Sequence, residues 1–458
     1  MNLGFMRPSL AAAALIVMGG SAVRLWSAPS VFPTGTTIYQ PDKTWNGYTV
    51  VSALGVPAVV VIDMNGRVVK RWEGFNVSSG GPARVLPGGF VIAPQGSFPR
   101  HLESTALVAE DFSGKELWRF DHGEQITVDG KPLWSIRQHH DWQRPDFPAG
   151  YYSPQFSPKP TGGKTLLLTH VNETVPAIAD VTLENDVLIE LDDKGNRLWS
   201  WKVSDHVDEL GYDEKARAAI RRAGTRDDFD WFHMNSASYV GPNKWFDAGD
   251  KRFAPDNVIV SSRNSSIVAI VARDGHVVWK IGPDFSATPE LKAIGQIIGQ
   301  HHADFIPPGL PGAGDLMIFD NGGDSGYGDP SPISPVGNSI YQRAWSRVVE
   351  IDPVTLKVVW QYRAPNFYST NISAAQRLPN GNTLITEGAP GRVFEVTAKN
   401  ETVWEYMQAP GSGPGGSNAV YRAYRIPYDW LPQVKHAPEV PIAKPDPASF
   451  HVPGTPAG

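Results

Sequence analysis

The feature that most limits how this chain can fold is one phrase met six times. In each copy an apolar strand runs into a polar turn, and a second short strand ends in tryptophan. The copies are VVVIDMNGRVVKRW (59–72), LVAEDFSGKELW (107–118), LIELDDKGNRLW (188–199), IVAIVARDGHVVW (267–279), VVEIDPVTLKVVW (348–360) and VFEVTAKNETVW (393–404). A D-x-x-G turn between alternating apolar positions marks a β-hairpin. A hairpin cannot bury both faces alone, so six of them must pack on one another, and a radial ring achieves this. The tryptophans at 72, 118, 199, 279, 360 and 404 are 46, 81, 80, 81 and 44 residues apart. A four-stranded propeller blade needs roughly 40–50 residues. The spacing therefore predicts an all-β, six-bladed β-propeller with long insertions in the middle blades, and puts each tryptophan between neighbouring blades.

A second set of phrases is expected to supply the inner strands: ARVLPGGFVIAP (83–94), PDNVIVSSR (255–263), AGDLMIFDNG (313–322) and QRLPNGNTLITEG (376–388). Either TTIYQ (36–40) or GYTVVSA (47–53) should close the ring by pairing with the last blade. The stretch DELGYDEKARAAIRRAG (208–224) is helical in pattern and lies in a blade insertion. After Tyr406 the chain runs through GSGPGG and YRAYRIPYDWLP to a Pro-rich end, which reads as a strap over the propeller and a loose tail. The expected organisation is a signal segment at 1–22, the propeller at 23–406 and the strap and tail at 407–458.

Composition narrows the classes of function. With 45 glycines and 40 prolines the chain suits a turn-rich β protein. Its 458 residues contain no cysteine, which excludes thiol catalysis, disulfides and cysteine-ligated metals. The net charge of −6, without a basic block, argues against nucleic acid and anionic membrane surfaces as partners. At the N-terminus, Arg7 precedes the apolar run LAAAALIVMGG (10–20) and the small residues Ser21 and Ala22. That is the pattern of a secretory signal cleaved after Ala22, and the run is short of the ~20 residues a span requires. The expected product is periplasmic or secreted, with no membrane span after cleavage.

Five of the 12 histidines stand in similar phrases: His139 and His140 in RQHHDWQ, His233 in DWFHMNS, and His301 and His302 in IGQHHADF. All three phrases fall in enlarged blades, each shortly before an expected inner strand. In register, His140, His233 and His302 would enter one end of the central channel from three neighbouring blades, where propellers carry function. The plain alternative is that such histidines satisfy backbone groups at blade corners. Arg343 and Arg347 follow in NSIYQRAWSRVVEID. The fork of Arg347 suits an anionic oxygen pair, the alternative being an ion pair with Glu350 or Asp352. Two chemistries fit. Imidazole can serve as nucleophile or acid–base while Arg and His⁺ stabilise a sulfuryl or phosphoryl group. Or the imidazoles can ligate zinc or iron, backed by Asp141 or Asp304. An arginine in the same cavity repels a cation and favours the first.

DWFHMNS, GQHHADF (299–305), FDNGG (319–323), SRVVEID (346–352) and the hairpins together resemble the bacterial arylsulfate sulfotransferase family, from about residue 45 to 430. The resemblance implies a six-bladed propeller, export, no cofactor, and transfer of a sulfuryl group from an aryl sulfate to a phenol through a sulfated histidine. It implies that His233, His302 and Arg347 hold and polarise the sulfuryl and phenolic oxygens, with Asn235 orienting. His139, His301 and Arg343 are the expected substrate-side neighbours. The family's nucleophilic histidine comes after the arginine, yet no histidine lies between His302 and His436. Either His140, from the other side of the channel, accepts the group, or the chain is a family relative with altered or lost transfer chemistry. The competing readings are a metal-dependent hydrolase or oxidase using His140, His233 and His302, and a propeller that binds a ligand without turnover.

Overall fold

The computed structural model describes residues 34–77, 81–97, 102–128, 130–224, 227–323, 325–326, 343–411 and 417–444. The expected signal segment lies outside the described residues. Six four-stranded antiparallel sheets form the blades of a propeller. Blade 2 contains Arg84–Leu86, Phe90–Gln95, Ala106–Glu110 and Glu116–Phe120, from the channel outward. Blade 3 contains Gln138–Gln143, Thr165–Thr174, Thr182–Leu191 and Arg197–Lys202; blade 4 contains Met234–Tyr239, Val258–Ser262, Ile267–Val271 and Val277–Ile281. Blade 5 contains His301–Phe305, Leu316–Asp320, Arg347–Ile351 and Val358–Tyr362; blade 6 contains Ala374–Arg377, Thr383–Glu387, Arg392–Val396 and Thr402–Met407. In blade 1, Tyr48–Ala53, Ala58–Ile62 and Val68–Glu73 are joined on the channel side by the C-terminal strand Val420–Ile426.

The core lies between blades. One cluster joins Ile259, Ile270 and Trp279 of blade 4 to Phe305, Leu316, Ile318 and Val349 of blade 5. Middle strands such as Ile267–Val271 are buried along their whole length because a blade covers each face. The repeat tryptophans do more than fill space. The indole N–H of Trp72 donates to the carbonyl of Asp111 (2.8 Å), Trp118 to Asp193 (3.2 Å) and Trp199 to Arg273 (3.0 Å). Trp279 donates to Pro353 (2.9 Å), Trp360 to Ala398 (3.2 Å) and Trp404 to Met64 (2.8 Å). Each acceptor is in the hairpin turn of the following blade, and the last bond returns to the first. The six form a closed circuit of blade-to-blade hydrogen bonds.

Closure and the tail differ from the sequence expectation. Gly35–Tyr39 does pair with the last blade, as a fifth outer strand on Thr402–Met407. Tyr48–Ala53 instead pairs with Val420–Ile426. YRAYRI is thus the innermost strand of blade 1 rather than part of a strap, and the propeller extends well past 406. The strap begins after Pro427, with Gly89 N–H bonded to the Trp430 carbonyl and Ile442 bridged to Tyr39. The helix in the blade 4 insertion is split. Val207–Leu210 ends at Gly211, whose φ of 93° terminates it, and Glu214–Ala223 restarts on an Asp213 cap. Among the described residues no helix is long and apolar enough to cross a membrane.

Candidate functional site

The innermost strands of blades 3, 4 and 5 each slip register against the second strand. The slips fall between Gln138 and Trp142, Met234 and Ser236, and His301 and Asp304. A bulge of this kind turns a side chain away from the pleat. At His140, His233 and His302 φ is 54°, 53° and 51°, the left-handed region that few residues other than glycine enter. His140 and His302 lie inside their bulges, while His233 stands just ahead of its own. The histidines are therefore not in loops before the inner strands. His140 and His302 belong to the innermost strands and His233 immediately precedes one, because VIVSS and LMIFD turn out to be second strands. At the head of the blade 6 inner strand, Ile372 and Ser373 have φ of 51° and 93°.

His140 and His233 meet edge to face, with ring centroids 4.7 Å apart. His233 Nδ1 bonds to Asp230 Oδ2. Ionised carboxylates only accept, so in the neutral form of the His233 ring the proton sits on Nδ1 and the lone pair on Nε2. Burial works against the Asp230 charge, but His233, His170 and Arg263 overcome it and hold the carboxyl well below the usual range. His140 Nδ1 lies 2.8 Å from His139 Nδ1. Burial, then the neighbouring His233 and His139, push His140 far below the usual imidazole range, so its ring is neutral. The Tyr421 hydroxyl donates to the His140 carbonyl at 2.7 Å.

Deeper in the channel, Asp141 receives Arg84 Nη2 at 2.8 Å and Arg422 Nη1 at 3.0 Å, all three side chains fully buried. Burial opposes the Asp141 charge, and Arg422 and Arg84 prevail over it. Arg422 also donates to the Asn235 carbonyl (2.7 Å), and the Asn235 amide donates to the Gln300 carbonyl (2.6 Å), tying blades 1, 4 and 5 together. His302 Nε2 is 3.1 Å from the Tyr424 hydroxyl and its Nδ1 is 3.0 Å from Asp304. Burial lifts Asp304 well above the carboxylate range despite Tyr151 and Arg422. His301 is held at both nitrogens: Nδ1 by Asn321 (2.8 Å) and Gly299 (3.1 Å), Nε2 by the Ile372 N–H (3.2 Å).

The structure brings His139, His140 and His233 together and sets His302 on the Arg422–Tyr424 strand. It does not turn Arg347 toward them. Arg347 bonds to Asp320 (2.8 Å) and to the carbonyls of Ile294 (2.9 Å) and Gly295 (3.1 Å). Arg343 shares Asp320 (2.5 Å) and reaches the Gln296 carbonyl (2.7 Å). Together they clamp the segment leading to His301. The ion pair considered for Arg347 is also absent: Glu350 pairs with Arg377 and Asp352 caps its own turn. A cation that acts on this end of the channel is Arg263, half-buried, felt by both His301 and Asp230. Sequence reasoning missed Arg84, Arg263 and Arg422. The Tyr-Arg alternation of YRAYRI was the one available signal for the last. Nor do His140, His233 and His302 form a ligand set. Among the described residues, the groups close enough to share an ion are His139–His170–Asp186 and Glu103–His170–Glu184.

The family model described as arylsulfotransferase (ASST) matches residues 143–409. No match was found among curated proteins. Similar solved structures include a protein of unknown function from Bacteroides caccae (10% identity, TM-score 0.45, 83% of this chain and 99% of that one). A streptogramin B lyase (11%, TM-score 0.37, 86% and 93%) and the Dos1 propeller (11%, TM-score 0.33, 84% and 76%) are others.

Proposed function

The chain belongs to the arylsulfotransferase (ASST) family, and on that premise we propose that it moves a sulfuryl group from an aryl sulfate to a phenol, without a nucleotide, through His233. The observation that carries this is the Asp230–His233–His140 arrangement. A nucleophilic imidazole needs a lone pair on the attacking nitrogen and a carboxylate on the other, so that the proton it keeps is stabilised as positive charge develops. His233 meets both requirements and faces a second, neutral imidazole. The Asp230 contact gives it the acceptor role that the sequence alone suggested for His140.

In the first half-reaction His233 Nε2 attacks sulfur, the N–S bond forms, and the S–O bond to the aryl group breaks with its electron pair leaving on the phenolate. The ring becomes a sulfo-imidazolium that keeps its proton on Nδ1 and donates it in a hydrogen bond to Asp230. In the second half-reaction a phenolic oxygen, losing its proton to solvent, attacks sulfur and the N–S pair returns to the ring. Charge is spread over the sulfuryl oxygens in such a loose transition state, by analogy with phosphoryl transfer. His140 and Arg263 supply the polar and cationic surroundings for those oxygens. The N-terminal pattern at 1–22 supports export, which would place the enzyme in the periplasm or outside the cell.

The test is release of nitrophenol from nitrophenyl sulfate with and without an added phenol. Acceptor-dependent release with formation of the new aryl sulfate is the expected result. Folded protein that releases no nitrophenol under either condition would overturn the proposal.

A further inference from the structure

The bulge that presents His140 leaves its neighbour His139 fully buried within blade 3. His139 stands on the innermost strand, His170 on the second and Asp186 on the third, where His170 pairs directly opposite Asp186. The His139 and His170 rings lie face to face, with centroids 3.6 Å apart and planes 15° from parallel. His170 Nδ1 donates to Glu103 (2.9 Å), and its Nε2 lies 3.6 Å from Asp186 Oδ1. Burial works against the His170 charge, but the bond to Glu103 and the charge of Asp186 prevail and push its pKa up to about 9. A cation stacked on an imidazole disfavours a second one. Burial first, then His170, hold His139 below the usual imidazole range, so its ring is neutral and carries a single proton. Asp186 decides where that proton sits: its Oδ2 is held by the Met234 N–H (3.0 Å), and its Oδ1 lies 3.1 Å from His139 Nε2. A carboxylate only accepts, so the His139 proton is on Nε2 and its lone pair is on Nδ1. That lone pair faces His140 Nδ1 at 2.8 Å. Burial keeps His140 neutral too, with His233, His139, His301 and His170 as the titratable groups around it. Two lone pairs do not face each other at such a distance, so the His140 proton is on Nδ1 and its own lone pair is on Nε2.

We propose that His140 is the general base of the second half-reaction, taking the proton of the acceptor phenol on Nε2, and that Asp186 and His139 are positioning residues that fix its tautomer. This role rests on reading His233 as the residue that carries the sulfuryl group. The ring centroids of His233 and His140 are 4.7 Å apart, so a phenol lined up on the sulfur comes beside His140. Of the two neighbouring histidines only His140 reaches the channel surface, at 7% exposure against 0% for His139. Among the described residues its side chain makes one hydrogen bond, through Nδ1, which leaves Nε2 for the substrate. As the phenolic oxygen attacks, its O–H proton passes to His140 Nε2, the O–S bond forms, and the N–S pair returns to His233. His140 is then an imidazolium whose Nδ1 proton is held by His139, with the Asp186 charge behind that ring. It releases the Nε2 proton to solvent before the next acceptor binds. A carboxylate behind an imidazole orients the base as the aspartate of a catalytic triad orients its histidine.

Full-length protein sulfated by nitrophenyl sulfate, freed of excess donor and then mixed with an acceptor reports the second half-reaction alone, through loss of the added mass. With phenol as acceptor the rate constant should stay within about twofold between pH 8 and pH 6, because a neutral base and a neutral acceptor are both present throughout. A rate constant that falls about tenfold per pH unit, following the phenolate, would overturn the base. Pentafluorophenol is already ionised at pH 7 and needs no base. His140→Gln should therefore slow transfer to phenol roughly 10²–10⁴-fold more than transfer to pentafluorophenol. Asp186→Asn should show the same selectivity, because an amide at 186 no longer fixes the His139 proton on Nε2. An equal loss with both acceptors in the folded variants would overturn the assignment. If the variants do not fold, the wild-type pH series decides by itself. Failure to form any sulfated protein would contradict the transfer reaction and the base with it, whereas a sulfated protein whose decay follows the phenolate contradicts the base alone.

Discussion

Asp304 shows how the channel's interior sets the chemistry of single residues. It stands on the blade 5 inner strand beside His302 and Tyr151, fully buried. Burial raises its proton affinity far above the ordinary carboxylate range, and the hydroxyl of Tyr151 and the charge of Arg422 only moderate the effect. The folded chain therefore binds a proton here that the unfolded chain releases above about pH 3.9. Wherever the native state holds more protons than the unfolded state, stability falls as pH rises. The Asp304 contribution is present below the unfolded value and is lost as pH climbs through the folded one, at up to ~1.4 kcal/mol per pH unit. Asp304→Asn keeps the shape of the protonated acid and removes the titration. Urea unfolding at pH 5 and pH 8 should show the variant gaining on the wild type at the higher pH. A difference that does not change between the two pH values would contradict the assignment.

Among the elements, the outer hairpins and the inner strands were legible to different degrees, for a physical reason. The hairpins face blades on both sides, so strands such as IVAIV read as unbroken apolar runs, and their turns carry Asp and Gly. The inner strands face the channel. QHHDWQ, MNSASY and HHADF carry too few apolar residues for a period of two to stand out, and a bulge interrupts each of them. The histidine phrases could be recognised from their types, but their placement one strand closer to the axis could not. The tryptophan period predicted packing between blades, and the structure adds a hydrogen bond from each indole to the next blade's turn. Trp404 is fully buried and joins the last blade to Met64 of the first. Trp404→Phe keeps most of the apolar contact and leaves that carbonyl unpaired, which should cost about 1–3 kcal/mol. Chemical denaturation would measure it. A cost within error of zero would mean that the indole bond contributes no stability at this seam.

Over the whole molecule, closure is made twice, by Gly35–Tyr39 on blade 6 and by Val420–Ile426 inside blade 1. The second strand also carries Arg422 and Tyr424 to Asp141 and His302, so one segment completes both the ring and the floor of the candidate site. Its dual role was hidden because it follows a glycine-rich stretch and stands far in sequence from the blade it joins. Removing everything after Gln408 should leave a ring with an unpaired inner edge and Asp141 lacking one of its two arginines. The truncated chain should lose the single cooperative thermal transition of the full chain in calorimetry. An unchanged transition would show that the ring closes without this strand.

The central claim is that His233, braced by Asp230, accepts the sulfuryl group. The most direct measurement is the mass of the protein and of its proteolytic peptides after brief exposure to nitrophenyl sulfate without acceptor. The account predicts the added mass of one SO3, located on the peptide bearing His233, removed by a phenol and absent in His233→Ala. A label on another residue, or acceptor-dependent turnover that survives in folded His233→Ala, would contradict it.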